Sequence, residues 1–241
     1  MNLITKQHIY SSPYYDQSLK NSINVSKNIN GHDDPNFLRI HHHNHHIVLC
    51  IKELMGIHCK TYCEIGTHFG HSICNVLFSQ YPSKFITVDL FSTQGISADC
   101  KIKNIYELAC SNIFQFNQHN YEIHILKGNS TSSRIINQIK DIAETGIDLL
   151  FIDGDHQYDG VMKDFENMFP LVNKGGIIIF DDYLPYKINN KERGCPKAVN
   201  DIVNKYKKEI NVIGLLDDKV GANKIKNNDC KKNIDFIIQK L

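Results

Sequence analysis

Two short, unbroken apolar runs constrain this chain more than anything else in it: Leu149-Leu150-Phe151-Ile152 and Ile177-Ile178-Ile179-Phe180. Runs of that length, rich in β-branched and aromatic residues, suit strands. A strand apolar on both faces belongs inside a parallel sheet that helices cover on two sides. Elsewhere short apolar runs alternate with amphipathic stretches. The pattern predicts strands over residues 60–65, 85–90, 121–126, 148–152 and 176–180, with two more at 211–216 and 234–239. It predicts helices over 70–79, 101–116, 131–143, 158–169 and 195–207, and a further one from Ile47 onward. Val161, Phe165, Met168 and Phe169 recur on one helical face and read as core. Asn173-Lys174-Gly175-Gly176 reads as a turn. Strand–helix alternation of this kind implies an α/β fold with a parallel sheet.

The first forty residues are different. Few apolar residues recur there at any period, so residues 1–40 are expected to form an irregular arm or lid, partly disordered, ahead of a single domain spanning 41–241. The run His41-His42-His43-Asn44-His45-His46 between them admits metal binding through its imidazoles, but a solvated helix start is the favoured reading.

Composition narrows the function classes. With 41% hydrophobic and 22% charged residues the chain cannot be wholly disordered. Lys plus Arg number 27 against 26 acids, a net charge of +1, so no concentrated basic surface invites nucleic acid. No stretch reaches the roughly 18–20 apolar residues of a membrane span. The best candidate, 47–57, is interrupted by Lys52 and Glu53, and the opening Met1-Asn2-Leu3-Ile4-Thr5-Lys6-Gln7 lacks the apolar core of a signal peptide. The expected location is therefore cytoplasmic, the host cytoplasm for a viral chain, and the eight scattered cysteines are expected to be free thiols. The oligomeric state stays open, a homo-oligomer included.

In a doubly wound sheet, ligands bind beyond the carboxyl ends of the strands. The first such end reads Glu64-Ile65-Gly66-Thr67-His68-Phe69-Gly70-His71-Ser72. Gly66 allows a tight turn and close approach of a ligand, and Gly70 lets the following helix pack. Asp89, at the end of the second strand, is placed to grip ribose hydroxyls. The spacing is G-x-x-x-G rather than the G-x-G-x-x-G that admits a pyrophosphate, and Glu64 would repel one. A cationic, phosphate-free nucleoside such as S-adenosylmethionine fits. An ordinary βα turn explains the glycines but not the two acids.

The fourth strand runs into Asp153-Gly154-Asp155-His156 and the fifth into Asp181-Asp182-Tyr183, at the same edge of the sheet. Carboxylates converging there repel unless protonated or paired. A hard divalent cation relieves the conflict, Mg²⁺ first, and can hold a substrate hydroxyl as a better nucleophile. His156 would take the proton, since imidazoles in general titrate near neutrality. Plain turn chemistry at Asp153-Gly154, a helix cap at Asp182 and a merely hydrogen-bonded His156 are the bland alternatives.

At these residues the chain resembles the class I S-adenosylmethionine-dependent methyltransferases. Phe151-Ile152-Asp153-Gly154-Asp155-His156-Gln157-Tyr158, followed by Gly175-Gly176-Ile177-Ile178-Ile179-Phe180-Asp181-Asp182-Tyr183, is similar to metal-dependent O-methyltransferases acting on macrolide sugars and, more distantly, to catechol-type enzymes. The resemblance implies that Asp153, Asp181 and Asp182 hold the metal, that Asp89 holds the ribose, and that Ser72 meets the methionine carboxylate. It implies that Gly128-Asn129-Ser130 border the adenine, although Asn129 stands where many relatives carry an acid. His156 takes the place of the catechol-type lysine, which points to a sugar hydroxyl rather than a phenol. The expectation as a whole is a Rossmann-like, doubly wound, mainly parallel seven-stranded sheet with an antiparallel last strand. It would hold S-adenosylmethionine through Glu64, Gly66, Thr67, Gly70, Ser72, Asp89, Asn129, Ser130 and Asp153, and methylate a saccharide or other small-molecule acceptor. Tyr183, Tyr186 and the 187–194 loop sit where a lid belongs. A non-catalytic nucleoside-binding module and a phenol-specific enzyme remain the alternatives.

Overall fold

The computed structural model describes residues 3–30, 45–92, 104–183, 194–217 and 234–241. Their strands are β1 (Thr61–Ile65), β2 (Lys84–Asp89), β3 (Ile123–Lys127), β4 (Ile147–Ile152), β5 (Val172–Phe180), β6 (Ile210–Asp217) and β7 (Ile234–Lys240). Their helices are α1 (Lys6–Tyr10), α2 (Tyr15–Asn28), α3 (His45–Met55), α4 (His71–Val76), α5 (Ile105–Phe116), α6 (Ser133–Ile142), α7 (Tyr158–Met168) and α8 (Gly194–Tyr206).

The strands form one sheet in the order β3-β2-β1-β4-β5-β7-β6. Pairing is parallel from β3 through β5, and β7 runs antiparallel to both β5 and β6. The central apolar runs divide their side chains by the period of two that a strand imposes. Leu150, Ile152, Ile178 and Phe180 face a core closed by α6, α7 and α8. Leu149, Phe151, Ile177 and Ile179 face a second core closed by α3, α4 and α5. The stripe Val161, Phe165, Met168 and Phe169 is buried in the first of these, as its spacing predicts. Strand order reverses between β1 and β4, so a crevice opens at their carboxyl ends.

Three expectations need correction. The opening residues are not irregular where they are described. Thr5 caps α1 by accepting from the His8 N–H, and α2 follows for fourteen residues. The buried face of α2 carries Ser18, Ser22, Val25 and Ser26, and Ile4, Ile9, Val25 and Ile29 join the second core. Serines at helical spacing give a face small enough for close packing, but one that apolar periodicity does not register. His45 and His46 are not at a solvated helix start either, being 4% and 1% exposed. His46 Nε2 lies 3.3 Å from the Tyr15 hydroxyl, and His45 packs edge-on against Phe151. Residues 41–44 lie outside the described residues. Finally, Asn173–Gly176 is no turn but part of β5, where the register against β4 shifts between Ile147 and Leu149. Gly175, at φ +81°, accommodates the bulge, and Asn173 Nδ2 pins it by donating to Asp148 Oδ1 at 2.8 Å.

Cys50, Cys59, Cys63, Cys74, Cys110 and Cys195 are free thiols. Burial pushes Cys50 up to about 11 and Cys59 up to about 12, and raises Cys63 and Cys74 as well, so these thiols are packing groups rather than nucleophiles. Cys100 and Cys230 lie outside the described residues. Among those residues no helix is long and apolar enough to cross a membrane.

Candidate active site

A cavity of about 910 Å³ lies over the carboxyl ends of β1, β2, β4 and β5. That volume suits a nucleoside-sized ligand together with a small acceptor. Its walls bring together Gly66, Thr67, Ser72, Asp89, Asn129, Ser130, Asp153, His156, Asp181 and Asp182. Glu64 and Gly70 are not on the wall.

The turn after β1 is fixed by steric need. Gly66 has φ +101°, and a Cβ there would come within 2.0 Å of the Asp153 carbonyl oxygen. The ends of β1 and β4 therefore meet at a point where only glycine fits. Gly70, at φ +87°, precedes α4, and a Cβ on it would press on Ile113 of α5 at 3.2 Å. Its tight contact is thus with a neighbouring helix. Asp89 is held by both oxygens: Oδ2 accepts from the His68 N–H at 2.8 Å and Oδ1 from the Phe91 N–H at 2.6 Å.

Glu64 sits beneath this turn, wholly buried. Tyr62 Oη donates to Oε2 and Thr87 Oγ1 to Oε1, each at 2.7 Å, and Thr67 bonds Thr87 in turn. Burial nonetheless pushes the Glu64 carboxyl up to about 7, against the lowering effect of Tyr62, Thr87 and Ser72. Its part in the site is to support the wall residues Thr67 and Ser72 from behind.

Across the cavity, the loop after β3 is organised by its own side chains. Asn129 Oδ1 accepts from the Thr131 N–H and hydroxyl at 2.9 and 2.8 Å. Ser130 Oγ donates to Asp164 Oδ1 at 2.6 Å. Asp164, on α7, is 2% exposed yet reaches the cavity wall, and burial pushes its carboxyl up to about 6. Sequence reading missed this residue. The signal was present: an acid between Val161 and Phe165, inside the buried stripe of α7.

At the β4 and β5 ends, Asp153 is raised well above the usual carboxylate range, first by burial and then by Asp181, with which it shares a hydrogen bond, by Asp182 and by Glu64. His156 Nδ1 lies 3.5 Å from Asp182 Oδ2, an orienting contact rather than a short hydrogen bond. The three carboxylates of Asp153, Asp181 and Asp182 offer only oxygen donors and repel one another, which is the chemistry a hard divalent cation suits. Among the described residues, however, no three His, Cys, Asp or Glu side chains stand as a formed metal-holding group. Donor type fits a cation. Asp182 has φ +55°, a left-handed conformation uncommon outside glycine, and it turns the chain at this rim.

Tyr183 does not line the cavity. Its ring packs 5.0 Å from that of Phe236, and its hydroxyl donates to Asn200 Oδ1 at 3.0 Å. Tyr186 and residues 187–193 of the expected lid lie outside the described residues.

Comparison with known proteins gives three findings. A family described as a methyltransferase domain matches residues 63–183, half of the chain. "Uncharacterized protein R132" of Acanthamoeba polyphaga mimivirus is 34% identical over 167 residues, covering 69% of this chain and 70% of that protein. Among solved structures, the O-methyltransferase from Bacillus cereus in complex with SAH superposes with a TM-score of 0.59 at 16% identity, over 98% of this chain and 96% of that one. The O-methyltransferase TomG from Streptomyces achromogenes, in complex with SAM, gives 0.59 at 12% identity over the same shares. At such identities the likeness to the two structures is one of fold.

Proposed function

The chain belongs to the methyltransferase-domain family, and from that premise we propose that it moves a methyl group from S-adenosylmethionine to a hydroxyl of a saccharide or glycosylated small molecule. One observation carries this reading. A single cavity is lined both by the glycine turn with Asp89 and by the acids and imidazole of the β4 and β5 ends. Donor and acceptor would therefore meet within it, and alignment of the two supplies much of the acceleration for a donor already as reactive as a sulfonium.

In this reading Gly66, Thr67 and Ser72 receive the methionine half of the cofactor, Asp89 takes the ribose hydroxyls, and Asn129 and Ser130 border the base. Asp153, Asp181 and Asp182 would hold a divalent cation, Mg²⁺ first. Such an ion, when bound, lowers the pKa of a coordinated hydroxyl. His156, oriented through Nδ1 by Asp182, keeps Nε2 to accept the hydroxyl proton. The acceptor oxygen bonds the methyl carbon as the sulfur–methyl bond breaks, leaving a neutral thioether, a methyl ether and a protonated imidazole.

A second reading is favoured by the contact of His156 Nδ1 with Asp182 Oδ2 at 3.5 Å. There the His156–Asp182 pair deprotonates the acceptor unaided, and Asp153 with Asp181 retains a shared proton. Incubation with labelled S-adenosylmethionine and a panel of glycans and nucleotide sugars, with and without excess chelator, tests both. Methylated sugar lost on chelation supports the first reading, and chelator-resistant transfer supports the second. Absence of transfer to every saccharide, with transfer to phenols added to the panel, would overturn the saccharide assignment.

A further inference from the structure

Asn112 takes no part in the chemistry above, yet three parts of the molecule meet on it. It lies on α5 with no exposed surface. Its Oδ1 accepts from the Asn30 N–H at 3.0 Å. Its Nδ2 donates to the Asn30 carbonyl at 3.0 Å and to the Phe69 carbonyl at 2.9 Å. Phe69 belongs to the turn between Gly66 and Gly70, while Asn30 closes the segment that follows α2. One carboxamide thus spends both of its donors and one acceptor position joining the N-terminal arm to the glycine turn.

A second tie runs in parallel. Ser26 Oγ, on α2, lies 2.8 Å from His71 Nε2, on the first residue of α4. Both sides of this seam reach the cavity, where Ile29 of the arm and His71 and Phe69 of the turn share a wall. Losing the Asn112 tie would leave the buried Phe69 carbonyl without that donor, and with either tie gone the arm and turn could more readily separate.

We propose that Asn112 is a cofactor-positioning residue: it locks residues 15–30 and the glycine turn into one unit, so that docking of the arm and binding of the cofactor are coupled. The proposal rests on the reading of this cavity as the S-adenosylmethionine site. Coupling of this kind is reciprocal, since whatever the docked arm adds to cofactor affinity the cofactor returns to arm docking.

The test uses the full chain and S-adenosylhomocysteine, the demethylated cofactor, so that no acceptor need be known. Calorimetry gives its affinity, and amide hydrogen exchange reports on residues 15–30 with and without saturating ligand. In the wild-type chain, exchange across 15–30 should slow on saturation. Asn112→Asp keeps the acceptor for the Asn30 N–H but loses both donated bonds. Ser26→Ala breaks only the second tie, and it decides the matter if the buried substitution fails to fold. Each variant should bind about fivefold to tenfold more weakly, as loss of a hydrogen bond predicts. Each should also lose much of the ligand-dependent slowing, which a purely structural role would leave in place. Unchanged affinity in both variants, or exchange in 15–30 indifferent to ligand, would overturn the coupling alone. Failure of the wild-type chain to bind at all would overturn the cofactor reading and this proposal with it.

Discussion

The two ends of the cavity meet their negative charge in opposite ways. At the β2 end, Asp89 has each oxygen taken by a backbone N–H, of His68 and of Phe91. At the β4 and β5 ends, Asp153 faces Asp181, Asp182 and the buried Glu64, and these neighbours together with burial hold its carboxyl toward the neutral form. The first end is already held in place by its own backbone. The second is in conflict with itself until a cation or a proton resolves it. In the proposed reading, binding and chemistry thus rest on different kinds of support, and substitutions should separate them.

The largest effect is expected where the two ends touch. Gly66→Ala forces a Cβ against the Asp153 carbonyl at an unfavourable φ, and should cost roughly 3–5 kcal/mol of stability, read from denaturant unfolding. A near-neutral result would break the claim that the two ends are rigidly joined. Next, Asp182→Ala should reduce methyl transfer by about a thousandfold, in the range of a lost transition-state contact. S-adenosylhomocysteine affinity should stay within about threefold; a parallel loss of binding would dissolve the distinction between the ends. His156→Ala should slow transfer by about a hundredfold, read from initial rates with labelled cofactor, while leaving S-adenosylhomocysteine affinity within about threefold.

The pH dependence of stability sharpens the comparison further. Glu64 moves from an ordinary 4.5 to about 7 on folding. The folded chain then holds a proton that the unfolded chain releases, so stability is greatest below about pH 4.5 and falls as pH rises through about 7. The shift corresponds to roughly 3 kcal/mol, and Glu64→Gln should flatten the curve by that amount in urea titrations across the window. Asp164 behaves likewise with a smaller span, from 3.8 to about 6. Asp164→Asn should remove only its own share of the slope, between about pH 3.8 and 6.

How much of this was legible in the sequence follows from what each residue contacts. The sheet was readable because β4 and β5 are apolar on both faces, and the observed strands differ from the expected ones mainly at their ends. The Asp153, Asp181, Asp182 and His156 set was readable because strand ends in such a sheet share one edge. The burial of Glu64 was not, since it depends on Tyr62 beside it and on Thr87 across the strand pair. α2 went unread because its packing face is built of serines, whose small size matters more there than their polarity. Asn112 was hidden for a related reason: it serves backbone groups 82 and 43 residues away in the chain, and no local pattern announces such a partner.

The contact of Gly66 with the Asp153 carbonyl also bears on how proteins of this shape diversify. With the two strand ends pressed together there is no slack to reposition donor against acceptor from inside the sheet. Accommodation of a new acceptor must come from the periphery, so substrate range in descendants of this chain should drift with their outer segments while the seam between the two strands stays frozen.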